Sequence, residues 1–319
     1  MLALRYKSSL ELEKNFSKPS IKNNEALIKV KKAGICKTDI ELVKGYMGFE
    51  GTLGHEFVGV VEACEDDKWI GRRVVGEINS GCGQCENCQN GLARHCVTRS
   101  VLGILNRDGC MAEYCSLPLT NLCHLPDSIS DDEAVFTEPL SAACEILEQT
   151  EVLSDDRCVV LGDGKLGILI AWVLSTKSDH VKLIGRHEKK LELAKWNNLQ
   201  TMHESEIENE KADIVVDATG SVNGLNRAMA LCRPRGRIVL KSTFAQNPEI
   251  DLSPMVINEI TMIGSRCGQF KDGLALIEKR RPPLIRLIEK TYHLEDGLQA
   301  FGHAQKRGVL KILLDMTIQ

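Results

Sequence analysis

The sequence predicts an α/β protein made of a mostly-β part and a doubly wound parallel sheet. Three observations lead there. Up to about Pro126, short alternating or β-branched runs are separated by glycine and polar turns. From Arg157 onward, strand-like and helix-like runs alternate, the pattern of parallel strands joined by helical crossovers. That alternation stops at Arg281-Pro282-Pro283, a strong breaker.

The elements follow in order. Ala26 to Val30, Phe57 to Glu62 and Arg73 to Ile78 read as strands. Asp131 to Thr150 reads as a helix carrying Glu138-Pro139 inside it. Strands are then predicted at Arg157 to Leu161, Val181 to Ile184, Asp213 to Val216, Gly236 to Leu240 and Ile260 to Ile263, with helices at Leu166 to Lys177 and Glu188 to Trp196 between them. A helix from Leu294 to Lys306 and a strand from Leu310 to Asp315 close the chain and are expected to pack back onto the first part. The domains expected are 1–150 with 284–319, and 151–283.

Bulk properties remove several function classes. The chain has 319 residues, 43% hydrophobic and 26% charged, with a formal net charge of -4. No Lys/Arg run accompanies that charge, so nothing suggests a nucleic-acid partner. The most apolar stretch, Leu166 to Leu174, is too short to span a bilayer. The first residues carry no secretory pattern, which makes the cytoplasm the expected location. There are 13 cysteines, an odd and scattered set that fits free or metal-bound thiols better than a disulfide framework.

Four of those cysteines are crowded together. Cys82, Cys85, Cys88 and Cys96 have the spacing C-x2-C-x2-C-x7-C in a loop rich in Gly, Asn and Gln. Short gaps let the thiolates converge, and glycines at 81, 83 and 91 permit tight turns. Four thiolates fill a tetrahedral zinc and leave no open position, so this site is structural. An iron–sulfur cluster is the rival, since it also uses short cysteine gaps.

A second group is dispersed: Cys36 in Gly-Ile-Cys-Lys-Thr-Asp, His55-Glu56 after Gly54, and Glu138 before Pro139-Leu140. These are the ligand types of an open catalytic zinc. Taken singly, Cys36 also reads as a small buried hydrophobe, His55 as a core histidine and Glu138 as a solvated helix position.

Val159-Val160-Leu161-Gly162-Asp163-Gly164-Lys165-Leu166-Gly167 reads strand, G-x-G-x-x-G, helix. Gly162 makes the turn, Gly164 lets the backbone approach a pyrophosphate, and Gly167 packs helix on strand. Lys165 and Leu166 open the helix whose N-terminus favours the phosphate charge. Thr219, in Asp217-Ala218-Thr219-Gly220, ends a later strand and is expected at the cofactor. Asp163 departs from the pattern, because an acid beside a pyrophosphate is mildly unfavourable. The second strand ends Gly185-Arg186-His187, where an NAD enzyme usually places an acid for the ribose hydroxyls. A small residue followed by arginine leaves room and charge for a 2′-phosphate, so the strand end favours NADP over NAD.

Together these motifs resemble the zinc-containing medium-chain dehydrogenase/reductase (alcohol dehydrogenase) superfamily. The polyol, sorbitol and threonine dehydrogenase branch is the nearest likeness, because it carries Glu-Pro-Leu. Gly71-Arg72-Arg73-Val74, Asp108 to Tyr114 and Leu125-Pro126-Asp127 match as well. The resemblance implies a GroES-like catalytic domain, a Rossmann nucleotide-binding domain, two zincs per chain, a homodimer or homotetramer, and a secondary alcohol or polyol as substrate. It also implies that Cys36 and His55 are zinc ligands, and that Glu56 and Glu138 complete the shell or hydrogen-bond the bound water. Thr38 then matches the hydroxyl that relays the alcohol proton. Where many relatives carry a relay histidine, this chain has Glu41. The competing reading is a zinc-stapled dinucleotide-binding redox sensor without turnover.

Overall fold

The computed structural model describes residues 1–207, 211–242 and 249–317. Its contacts divide the chain into two compact units, residues 1–138 with 270–319, and residues 139–269. These divisions differ from those expected at 150/151 and 283/284.

The first unit carries strands β1 (Ala3–Tyr6), β2 (Leu10–Glu13) and β3 (Glu25–Gly34), then helix α1 (Lys37–Leu42). Strands β4 (Gly51–Thr52), β5 (Glu56–Ala63), β6 (Arg73–Gly76) and β7 (Asn79–Ser80) follow, then the short helix α2 (Glu86–Gln89). Next come β8 (Ser100–Val101), β9 (Tyr114–Pro118), β10 (Leu122–His124) and helix α3 (Asp131–Ala134); helix α4 (Thr137–Gln149) starts at the end of this unit, and its residues from 139 on belong to the second. The main sheet runs β10-β6-β5-β3 and continues into the last two strands of the chain, with β9 also pairing β3. The register of β3 against β5 sets Gly34 opposite Glu56. That pairing brings the segment after β3 to the start of β5, and so determines where Cys36 and His55 sit.

One helix was expected over Asp131 to Thr150, and the structure has two. The first is closed by a capping box, with the Ser130 hydroxyl and the Glu133 carboxylate each accepting from the other's backbone N–H. Val135 and Phe136, both buried, separate it from α4. The Thr137 hydroxyl donates to the Ala134 carbonyl at the break.

The second unit holds β11 (Arg157–Leu161), α5 (Lys165–Leu174), β12 (His180–Gly185), α6 (Glu188–Ala194), β13 (Gln200–His203), β14 (Ala212–Asp217), α7 (Val222–Leu231), β15 (Cys232–Leu240), α8 (Ser253–Ile257) and β16 (Thr261–Gly264). Its six strands are parallel in the order β13-β12-β11-β14-β15-β16. This is the doubly wound arrangement, with the order reversing beside β11. The edge strand β13 escaped the sequence reading because Gln200–His203 neither alternates nor forms an apolar run.

Helix α5 is buried at every position from Gly167 to Leu174, as its unbroken apolar sequence requires. Trp172 is fully buried there. Its indole N–H donates to the Ala194 carbonyl at 2.6 Å, and its ring meets Trp196 edge-on at 6.1 Å.

The chain then returns to the first unit with α9 (Phe270–Arg280), β17 (Ile288–His293), α10 (Gly297–Ala304) and β18 (Lys311–Asp315). Helix α9 belongs to the first unit because its ends are tied there. The Phe270 N–H donates to the Glu77 carboxylate, and Arg281 to the Ser128 carbonyl. Strand β18 pairs β3 and β17, so the tail packs back onto the first part as the sequence suggested, with its last strand inside the main sheet.

Trp172→Ala removes a large side chain and one hydrogen bond from a closed core. It should lower the stability of the second unit by about 3–5 kcal/mol in a denaturant titration.

Candidate metal centres and nucleotide site

The four clustered cysteines converge. The sulfurs of Cys82, Cys85, Cys88 and Cys96 all lie within 4.8 Å of one another. Backbone N–H groups of Cys82 and Cys85 donate to the sulfurs of Cys96 and Cys82, each at 3.4 Å. A Cβ at Gly81 would stand 2.9 Å from the Cys88 sulfur, and Gly83 has φ +75°, so the loop needs both glycines. The thiols do not ionise alike. Bonds from the Thr98 hydroxyl and the Cys82 N–H bring Cys96 down to about 6, while burial and the neighbouring thiols push Cys88 up to about 11. Four convergent sulfurs with supporting N–H donors fit a closed tetrahedral zinc.

The dispersed group partly assembles. One ligand atom each from Cys36, His55 and Glu56 lies within 4.8 Å of the other two. Glu138 is not in that set; it sits half-buried in the first turn of α4. Thr38 lies beside the cysteine, with the Cys36 thiol 3.7 Å from its hydroxyl. Glu41 is partly exposed and ion-paired with Lys44 at 3.1 Å.

Two residues that the sequence reading passed over hold this group together. Asp39 is fully buried. One of its oxygens accepts from the Cys36 N–H at 2.8 Å, and the other from the Gly54 N–H at 3.2 Å. The second oxygen also lies 3.3 Å from His55 Nδ1. Burial works to lower the His55 pKa, but the Asp39 carboxylate outweighs it and holds the imidazole well above its usual value. Asp39 was visible as the third helical residue after Cys36, the position from which an acid reaches back to a helix's first N–H.

Lys311 is also fully buried, and its ammonium group is bonded to Glu56 Oε2. The Phe136 ring centroid lies 5.3 Å from that ammonium. A Cβ at Gly34 would stand 2.5 Å from Glu56 Oε2 and 3.1 Å from Lys311 Nζ, so glycine there is what lets the ion pair fit. No local signal marked Lys311, since 255 positions separate it from its partner. A cysteine, a histidine and a carboxylate fit the open donor set of a catalytic zinc, with the Asp39 carboxylate 3.3 Å from the histidine's other ring nitrogen.

The second unit carries the nucleotide fingerprint. Gly162 has φ +108°, and a Cβ on it would press on the Ala218 carbonyl at 2.9 Å. A Cβ at Gly167 would stand 1.9 Å from the Gly162 carbonyl. Gly164 differs: a Cβ there would meet no protein atom within 4 Å. Internal packing therefore leaves that space open, and a pyrophosphate before the N-terminus of α5 fits it. Lys165 and Leu166 form the first turn of α5 and are half-buried. Thr219 stands beside Gly162, its hydroxyl donating to Asp217 at 2.7 Å. Gly185 ends β12, and the Arg186 guanidinium is paired with Glu204 at 2.8 Å.

Asp163 turns toward the end of β12. Its Oδ2 accepts from the Arg186 N–H at 2.7 Å and the His187 N–H at 2.7 Å, and lies 2.9 Å from His187 Nδ1. Burial works to raise its pKa, but these His187 and Arg186 contacts prevail and keep the carboxyl below its usual range.

Comparison with known proteins identifies the family. Residues 22–127 match the alcohol dehydrogenase GroES-like domain, and residues 176–279 match the zinc-binding dehydrogenase family. The starvation-sensing protein RspB of Escherichia coli (strain K12) is 30% identical, with 94% of each chain covered. A sorbitol dehydrogenase of Halalkalibacterium halodurans is 30% identical, with 93% of each chain covered. A crystal structure of an alcohol dehydrogenase, rspB, from E. coli CFT073 with NADH superposes with a TM-score of 0.89 at 25% identity, covering 99% of this chain and 98% of that one.

Two substitutions separate the metal centres. Cys36→Ser should lower bound zinc from two per chain to one with the fold intact, whereas Cys85→Ser should cause unfolding at lower temperature, as read by metal analysis and thermal melting. Asp39→Asn should weaken zinc binding at the dispersed site by about 10–100-fold in a competitive chelator titration, leaving the cysteine-loop zinc in place.

Proposed function

The chain belongs to the zinc-binding dehydrogenase family, and from that premise we propose that it moves a hydride between a secondary alcohol or polyol and a nicotinamide dinucleotide, at a zinc held by Cys36, His55 and Glu56. The observation that carries the site assignment is the convergence of those three ligand atoms. Glu138 stays a candidate fourth ligand or a partner of the bound water. The first unit is then the catalytic domain and the second the dinucleotide-binding domain.

A zinc held by Cys36, His55 and Glu56 would lower the pKa of an alcohol bound to it towards neutral pH. The protein's own residues do the rest. Asp39 fixes the ring of His55 and the backbone of Cys36, so the donors need no rearrangement. Lys311 compensates the buried charge of Glu56. Thr38 accepts the alcohol proton on its hydroxyl oxygen and gives up its own hydroxyl proton in exchange. Glu41, one helical turn further along α1 and partly exposed, passes that proton to solvent. In the second unit, Gly162, Gly164 and Gly167 shape the loop for the pyrophosphate, and Lys165 and Leu166 begin the helix behind it. Gly185, Arg186 and Thr219 border the adenosine side and the loop.

A sensor without turnover would have no use for a donor set with an open position, which favours the enzyme. Sorbitol dehydrogenase among the relatives supports a polyol substrate. We also propose a homodimer or homotetramer in the cytoplasm. None of the 13 cysteines is in a disulfide, as a reducing compartment allows. Among the described residues no helix is long and apolar enough to cross a membrane.

A panel of polyols, hydroxy amino acids and secondary alcohols, assayed with NAD and with NADP on zinc-loaded protein, should reveal reduction of the dinucleotide by at least one alcohol. Silence across the panel would contradict the proposal. Thr38→Val should lower kcat by about 10²–10⁴-fold with zinc content unchanged, the scale of a lost proton-transfer group.

A further inference from the structure

We propose that Asp163, from the glycine-rich loop, determines cofactor choice by occupying the donors that a 2′-phosphate would use, so that this protein favours NAD. The inference rests on the reading of the second unit as dinucleotide-binding.

The end of β12 is where the ribose 2′ position is recognised in a doubly wound sheet. Two ways of recognising it are open. A carboxylate at that point accepts the ribose hydroxyls; alternatively, backbone N–H groups and a cation receive a 2′-phosphate. In this chain the strand itself ends on Gly185, with no acid. The N–H groups of Arg186 and His187 point to one spot beyond the strand, and the His187 ring joins them. That is an anion-binding concavity. It already holds an anion, because Asp163 Oδ2 takes both N–H groups at 2.7 Å and the ring nitrogen at 2.9 Å. Asp163 is 7% exposed, and its contacts keep the carboxyl below its usual range.

The fit is built into the backbone. A Cβ at Gly185 would lie 2.4 Å from Asp163 Cβ and 2.6 Å from Oδ2, so any larger residue at the strand end would expel the aspartate. Gly185 and Asp163 therefore work as a pair: the acid absent from the strand is delivered from the neighbouring loop. Asp163 Oδ1 takes no hydrogen bond among the described residues and keeps its capacity to accept from a ribose hydroxyl.

Arg186, the cation that would compensate a 2′-phosphate, is engaged elsewhere. Its guanidinium pairs with Glu204 at 2.8 Å, and Glu204 is shared with Arg227 at 3.1 Å. A 2′-phosphate would meet the charge of Asp163 and find its backbone donors taken. The carboxylate thus reverses the NADP preference that Gly185 and Arg186 carry when read alone.

The test is calorimetric titration of the native protein with 5′-AMP and with 2′,5′-ADP, which probe the adenosine side without turnover. The native protein should bind 5′-AMP more tightly. Asp163→Ala, which frees the N–H donors, and Asp163→Asn, which removes only the charge, should each shift the ratio toward 2′,5′-ADP by at least about tenfold, the scale of removing a like charge beside a phosphate. Tighter binding of 2′,5′-ADP by the native protein overturns the proposal, and so does an unchanged ratio in folded variants. If both variants fail to fold, the native ratio alone decides. Binding of neither nucleotide overturns the proposal together with the dinucleotide-binding reading, whereas binding of both in the wrong order overturns the role of Asp163 alone.

Discussion

One buried carboxylate organises the proposed zinc site of this protein. Asp39 has no exposed surface, and it touches both sequence segments that supply donors. It accepts from Cys36 on one side and Gly54 on the other, with His55 Nδ1 within 3.3 Å. A buried acid is tolerated only when its charge is met by donors, and here those donors belong to the site itself. The desolvation of Asp39 is offset by the same contacts that fix the geometry of the ligands. Glu56 repeats the logic, with Lys311 as its compensating charge. The site thus contains two buried carboxylates, each anchored, near one imidazole.

Legibility in the sequence followed chain separation. The cysteine loop could be read almost unaided, because its four sulfurs come from fifteen residues and their spacing already encodes convergence. The parallel sheet was equally plain, since the runs at Arg157 to Leu161 and Asp213 to Val216 are short, apolar and bounded by turns. Cys36, His55 and Glu56 needed the resemblance, because no local pattern states that β3 and β5 pair with Gly34 opposite Glu56. Lys311 was invisible, since a lysine in a terminal strand reads as solvent-facing until its partner is known. The break at Val135-Phe136 was missed because the apolar pattern runs through it, with Ala134, Val135, Phe136 and Leu140 all buried.

The two units solve the anion problem in opposite ways. In the first, carboxylates are buried and paired to hold a cation site in readiness. In the second, the glycines leave an opening before α5, and the neighbouring concavity at the end of β12 is filled internally by Asp163. Both arrangements preorganise polar groups before any ligand arrives, which is how a protein avoids reorganisation during reaction. They also explain why three glycines, at 34, 164 and 185, matter more than their size suggests. The first admits an ion pair, the second leaves room for a ligand, and the third admits a side chain from another loop.

The central claim is that a zinc sits on Cys36, His55 and Glu56 as well as on the cysteine loop. Anomalous diffraction at the zinc edge, from crystals of the purified protein, tests it most directly. The account predicts two peaks per chain. One lies at about 2.3 Å from the four sulfurs of Cys82, Cys85, Cys88 and Cys96, and the other at about 2.3 Å from the Cys36 sulfur and about 2.0 Å from a His55 nitrogen. A single peak, at the cysteine loop, in protein that still reduces a nicotinamide dinucleotide with an alcohol would contradict it.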